Sequence, residues 1–235
     1  MATKPTPAAT PGGAVAIAER TPLYLFEYSW PKQAGDIPAL AQLLSKRAET
    51  AKKELIDSAQ EGKEAAEDSG FPYNAYSYAQ EWQVVANTPR FLSLSSVVTG
   101  YAGGAHGSYA SRTLVWDREA EKALKPVALF VSPEALEKAV SERFCAEIDR
   151  QREEKRGEAV EKGADNPFDE CPSLSELTVL LGSSNGRAFN RIGLIADPYV
   201  AGPWVEGVYE VTVPVTSEVM AAVKPEYAGA FALKR

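Results

Sequence analysis

Histidine is almost missing from this chain of 235 residues, which has one, His106. Serine and cysteine nucleophiles usually pass their proton to a histidine, and catalytic zinc sites draw on two or three of them. The scarcity therefore removes most nucleophilic and zinc chemistry. Cysteine is nearly as rare, with Cys145 and Cys171 alone and no C-x-x-C spacing, so a metal site is not expected. No Walker A loop and no G-x-G-x-x-G after a strand is present, which removes the commonest phosphate cradles. No run approaches the roughly 18–20 apolar residues of a membrane helix. Basic residues are outnumbered, 25 against 32 acidic, for a net charge of −7. That balance argues against nucleic acid or anionic lipid as partner, since both reward Lys/Arg clusters. It favours a cationic partner, although solubility alone also accounts for it.

What is present suits a soluble globular protein. Hydrophobic residues make up 45% and charged residues 24% of the chain. The opening M-A-T-K-P-T-P-A-A-T-P-G-G has no apolar h-region and cannot build a packed element, so residues 1–20 read as a disordered tether. Two origins fit it: a cytoplasmic protein with a floppy start, or one beginning after a removed export signal or lipid-anchor cysteine. Leu23–Trp30 is aromatic, bounded by prolines, and reads as a strand. Helical spacing follows over Asp36–Asp68, with Asp36 as N-cap. Tyr76–Asn87 and Arg90–Tyr101 flank an N-T-P turn and predict an antiparallel hairpin, with Ala110–Asp117 as a third strand. Pro133–Glu161 is a second long helix with Leu136, Val140, Phe144 and Ile148 on one stripe. Glu176–Leu181, Arg191–Ala196 and Val205–Val213 are strand-like, and Ser217–Val223 is a short helix. Helices and strands are segregated, which predicts an α+β fold. The expectation is antiparallel sheets with two long helices packed on them, in two intimately associated subdomains over 21–132 and 133–235.

Few constellations promise chemistry. Gly182-Ser183-Ser184-Asn185-Gly186 matches the G-x-S-x-G nucleophile elbow. His106 precedes it, however, whereas the elbow fold places its histidine last. Asn185-Gly186 is also a strong type I′ hairpin signal, so a turn is expected. Asp165, Asp169 and Glu170 lack the spacing of a calcium loop and read as a solvated acidic stretch. A glycosidase needs only two carboxyls, which thirty-two acidic residues can always supply, and the sequence does not test this. Cys145 and Cys171 are either two buried thiols or a disulfide contributing roughly 3–4 kcal/mol. Two Gly-rich segments remain, Tyr101–His106 (Y-A-G-G-A-H) and Asp197–Gly207 (D-P-Y-V-A-G-P-W-V-E-G). Their glycines allow positive φ, and Tyr101, Tyr109, Tyr199 and Trp204 offer flat surfaces for a sugar ring or a protein anchor. The alternative is tight bends and core-filling aromatics.

Taken together, S-L-S-S-V-V-T-G-Y-A-G-G-A-H-G-S, then T-L-V-W-D and K-P-V-A-L-F, resembles the core of the domain of unknown function numbered 4163. D-P-Y-V-A-G-P-W-V-E-G-V-Y-E-V-T-V-P is similar to the C-terminal signature of its partner domain, numbered 3298. There a Y-x-x-g-P-y/w-x-x-G turn leads into a strand ending at proline, matched by Tyr199, Gly202, Pro203, Trp204, Gly207 and Pro214. The resemblance spans roughly residues 22–225, with Trp204 where Tyr is common and an unmatched insert around Cys171. In that family the pair lies outside the cytoplasmic membrane, in the lysozyme-sensing RsiV anti-sigma factor and in PdaC-like peptidoglycan deacetylases. The resemblance implies an α+β fold and an extracytoplasmic setting, in the periplasm or at the cell surface, with a lipid anchor as one option. It implies a non-catalytic binding role toward a lysozyme-like enzyme or wall glycan, without cofactor or metal. Tyr199, Trp204 and Glu206 are the expected ligand contacts, with Tyr101 and His106 second. An exported setting also favours a Cys145–Cys171 disulfide. The rival readings are a carboxylate-dependent hydrolase of wall material and a structural accessory domain without a small ligand.

Overall fold

The computed structural model describes residues 12–161, 163 and 166–234. The fold is α+β: nine strands in two mainly antiparallel sheets and four α-helices, two of them long, among the described residues. The first sheet has the order β1 (Val15–Arg20), β2 (Tyr24–Trp30), β3 (Tyr76–Asn87), β4 (Phe91–Tyr101), β5 (Ser108–Asp117), β6 (Lys122–Leu124). The second has the order β7 (Thr178–Gly182), β8 (Arg191–Ala196), β9 (Tyr209–Pro214). The chain divides into two compact units, one of Met1–Gln83 with Ser96–Ala110 and one of Val84–Ser95 with Ser111–Arg235. Strands β3, β4 and β5 contribute residues to both.

In the first unit, β2 is linked to β3 by the short helix α1 (Lys32–Gly35) and the long helix α2 (Pro38–Asp68). A helical crossover returns the chain to the same end of the sheet, so β2 and β3 pair in parallel, Tyr24 facing Tyr76. This one parallel pair lies in sheets that are otherwise mainly antiparallel, as expected. The buried side of β2 is aromatic, with Phe26, Tyr28 and Trp30, and α2 covers it with Leu40, Leu44, Ala48, Leu55 and Ala59. The Trp82 indole N–H donates to the Tyr28 hydroxyl at 2.9 Å, which satisfies a polar atom inside that core. Asp36 does not cap α2: Ile37 stands at that position without a side-chain bond, and Asp36 pairs with Lys32 instead. Pro38 opens the helix, where its missing N–H costs nothing.

Residues 15–20, expected in the tether, form an edge strand. Val15-Ala16-Ile17-Ala18 alternates in exposure and pairs with β2 from Val15 opposite Trp30 to Arg20 opposite Leu25. Short side chains hid that alternation in the sequence. Of the rest of the tether, residues 1–11 lie outside the described residues.

In the second unit, helix α3 (Pro133–Arg156) lays Leu136, Val140, Phe144 and Ile148 on the alternating inner faces of β7, β8 and β9. Each such fully buried side chain contributes about 1.5–3 kcal/mol. Ser132 caps the start by accepting from the Ala135 N–H at 3.1 Å. The helix ends at Arg156 rather than Glu161, because Gly157 adopts φ 74° and closes the last turn. Cys145 and Cys171 are bonded, with Cα atoms 5.4 Å apart, joining α3 to the segment before β7. No helix among the described residues is long and apolar enough to cross a membrane.

Candidate functional site

The segment between β8 and β9 does not continue as strand from Val205. It is a loop with a single 3₁₀ turn at Trp204–Glu206, and β9 starts at Tyr209. Within it Tyr199 adopts φ 71°, one of two non-glycine residues with positive φ among those described. For a bulky side chain this costs on the order of 1–3 kcal/mol and persists only where the surroundings enforce it. The Tyr199 N–H donates to Gly202 O at 2.9 Å, closing the turn. The result is an aromatic face. The Tyr199 and Trp204 ring centroids lie 6.0 Å apart, with Tyr199 56% and neighbouring Val205 90% exposed.

Four anchors hold this loop within the second unit. At its start the Asp197 carboxylate accepts from the Ser111 N–H at 2.8 Å and hydroxyl at 2.6 Å. The other three are cations from the last turns of α3. Arg152, fully buried, donates from Nε to Ala201 O at 3.0 Å. Lys155 Nζ donates to Glu206 O at 2.6 Å and Val208 O at 2.9 Å, and sits 3.6 Å from the Tyr209 ring centroid. Arg156 Nε pairs with Glu206 Oε1 at 2.9 Å, while its Nη1 pairs with Asp169 Oδ1 at 2.5 Å. Cations at a helix C-terminus also complement its dipole.

Electrostatics follow from these contacts. Burial alone would raise the Glu206 pKa, but the bonds from Arg156 and the Tyr209 hydroxyl outweigh it and hold the carboxyl below its ordinary 4.5. Burial, and then its bond to Glu206, push Tyr209 up to about 12. Burial lowers Lys155 against the attraction of Glu206. A depressed carboxyl contributes stability that is complete above its unfolded value and lost as pH falls through the folded one. Glu206→Gln is therefore expected to flatten the acid limb of the stability curve below about pH 4.5, read by denaturant melts from pH 7 to 2.

Glu206 thus points its carboxylate inward to Arg156 and Tyr209, while exposed Tyr199 packs beside half-buried Trp204. A cleft of about 620 Å³ adjoins, lined by Arg156, Phe168, Asp169, Pro203 and Glu206 among others. Tyr101 and His106 belong to the first unit, in the β4–β5 connection. There the Tyr101 hydroxyl donates to Gly104 O at 3.1 Å, the Tyr76 ring meets Tyr101 edge-on at 6.5 Å, and exposed His106 places Nδ1 2.8 Å from Gly107 O. Gly103 and Gly104 take φ 87° and 86°, as the motif implied.

The G-x-S-x-G segment is a turn, but not type I′: Gly186 alone has positive φ, 66°. The Asn185 side chain accepts from the Arg187 N–H at 2.8 Å and Ala188 N–H at 3.2 Å, which supports the loop in place of a left-handed Asn. Ser184 accepts from the Asn190 amide at 2.6 Å. Of the acidic stretch, Asp169 is bound to Arg156 and Asp165 lies outside the described residues. Among the described residues no group of three or more His, Cys, Asp or Glu could hold a metal ion. Sequence reasoning missed Arg152, Lys155 and Arg156 altogether.

Residues 17–109 match the family model described as Deacetylase PdaC. No curated protein matches the chain. Among solved structures, a DUF3298 family member from Bacteroides fragilis superposes with a TM-score of 0.57 at 15% identity, over 92% of this chain and 95% of its own. A DUF3298 family protein from Pseudomonas aeruginosa gives 0.57 at 16% identity, over 96% and 99%. The chain therefore carries a PdaC-like domain over residues 17–109 and has the fold of DUF3298 family proteins.

Proposed function

We propose that this chain is a non-catalytic binding module of the cell envelope, working outside the cytoplasmic membrane and presenting Tyr199 and Trp204 to wall glycan. The observation that carries this reading is an aromatic pair, exposed Tyr199 against half-buried Trp204, whose first member is held at φ 71° by a four-point anchored loop. Strain maintained beneath a solvent-facing ring is a cost that folding alone does not require. Flat amphipathic rings suit the apolar face of a sugar. The Cys145–Cys171 disulfide supports an oxidising compartment. Tyr101 and His106, in the other unit, are the second pair we assign to ligand contact.

Near Trp204 in the loop, Glu206 has its carboxyl held below the ordinary value, against burial, by its bonds to Arg156 and Tyr209. A glycosidase acid needs the opposite shift. The net charge of −7 favours a second reading, a cationic lysozyme-like protein drawn in by electrostatic steering.

Calorimetric titration with soluble wall glycan fragments, and with hen-type lysozyme at low and moderate salt, tests both. Tyr199→Ala and Trp204→Ala are each expected to weaken binding by about thirtyfold, the effect of losing a central aromatic contact. Heat with glycan alone supports the first reading, and salt-sensitive heat with lysozyme alone supports the second. Silence with both ligands defeats the proposal.

A further inference from the structure

Arg152 joins three pieces of the second unit through one planar group. Its Nε donates to Ala201 O in the aromatic loop at 3.0 Å. On the other side, Nη1 donates to Asp169 O at 3.3 Å and Nη2 to Glu170 O at 2.8 Å. Glu170 immediately precedes Cys171, which the disulfide binds to Cys145 of the same helix that carries Arg152. The Asp149 carboxylate, one turn back, supplies the countercharge to Nη1 at 3.0 Å. Arg156 repeats the pattern one turn on, bridging Asp169 to Glu206. Each of these two cations therefore touches the aromatic loop on one side and, on the other, a segment that the disulfide ties to α3.

We infer that Arg152 is a positioning residue for the Tyr199–Trp204 face, and that the Cys145–Cys171 disulfide controls the rigidity of that face through Arg152. The functional half rests on the binding role proposed above; the mechanical half does not. A guanidinium fork transmits position well because its N–H directions are fixed in one plane, which a lysine ammonium does not reproduce. With the bond open, the 168–171 segment is held by non-covalent contacts alone, the Arg156–Asp169 ion pair among them, and the carbonyls of Asp169 and Glu170 fix the guanidinium less firmly. Ala201 O then loses a preplaced donor, and one of the four anchors that enforce the positive φ of Tyr199 is weakened. Opening is a two-electron step. A dithiol such as dithiothreitol attacks one sulfur as thiolate, the S–S bond breaks, and its second thiolate closes a ring. Two protons and two electrons pass to the protein sulfurs, leaving two cysteine thiols and a cyclic disulfide.

The test is amide hydrogen exchange resolved to peptides, on the full chain without ligand. Four samples are compared, each shown folded by circular dichroism: oxidised wild type, dithiothreitol-reduced wild type, Cys145→Ser/Cys171→Ser, and Arg152→Lys. Exchange over residues 197–207 is expected to accelerate roughly tenfold or more in the last three, the loss of about one charge-assisted hydrogen bond. Residues 192–195 of β8 should keep their protection. Unchanged exchange over 197–207, or acceleration shared equally by β8, overturns the inference, the second because it signifies general loosening. Glycan titration of the oxidised and reduced forms completes the test. Binding by wild type that weakens on reduction supports the functional half, and equal binding by both overturns it. Failure of wild type to bind glycan defeats the glycan reading and the functional half with it, while the exchange result still decides the role of Arg152.

Discussion

Arg152→Ala is expected to lower the unfolding free energy by about 4 kcal/mol, the largest effect of any single change outside the apolar core. The guanidinium is fully buried and donates to three backbone carbonyls and one carboxylate. Truncation leaves the carbonyls of Ala201, Asp169 and Glu170 without this donor and opens a cavity in place of a long side chain. Each buried acceptor left unmade costs on the order of 1–3 kcal/mol, and partial water entry recovers some of it. Arg152→Lys keeps the charge but cannot reproduce the fork, so its expected cost is about half as large. Urea melts monitored by tryptophan fluorescence read both values. A loss under 1 kcal/mol for the alanine variant would show that the hydrogen bonds are replaceable.

Removing the disulfide is expected to cost about 3–4 kcal/mol. Cys145 and Cys171 are 26 residues apart, and closing a loop of that length removes about this much free energy from the unfolded chain on the entropy model. The Cys145→Ser/Cys171→Ser variant should therefore melt well below the oxidised protein, and added dithiothreitol should move only the wild type. Identical melting of the two proteins would mean that the unfolded chain is already compact across this segment.

Much of the fold was legible because its signals are periodic. The β3 and β8 strands run over Tyr76–Asn87 and Arg191–Ala196, as the alternation implied, and the α3 stripe is buried as its spacing predicted. The edge strand β1 was hidden by alanines, which alternate without contrast in hydropathy. The parallel pairing of β2 with β3 was hidden because direction depends on where α2 delivers the chain, not on local composition. At the candidate site, the aromatics announced themselves, but the cations that anchor their loop did not. One signal was available. Leu136, Val140, Phe144 and Ile148 recur every fourth residue, and Arg152 is the next step on that row. An arginine continuing an apolar stripe is either snorkelling to water or buried with partners, and here it is buried. Which carbonyls it meets depends on loops distant in sequence, which no local pattern encodes.

The edge strand β1 has a mechanical consequence. Its first residue, Val15, faces Trp30, where β2 leaves the hairpin, so both exits lie at the same end. Tension applied through the N-terminus would open this pair rung by rung, like a zipper, rather than loading all its bonds in shear. Peeling would meet resistance near the far end, where Glu19 is gripped by Lys52 of α2 at 2.5 Å and by the Tyr24 hydroxyl at 3.0 Å. A pull on the molecule would thus be spent first on a six-residue ribbon, sparing the aromatic core that β2 shares with α2.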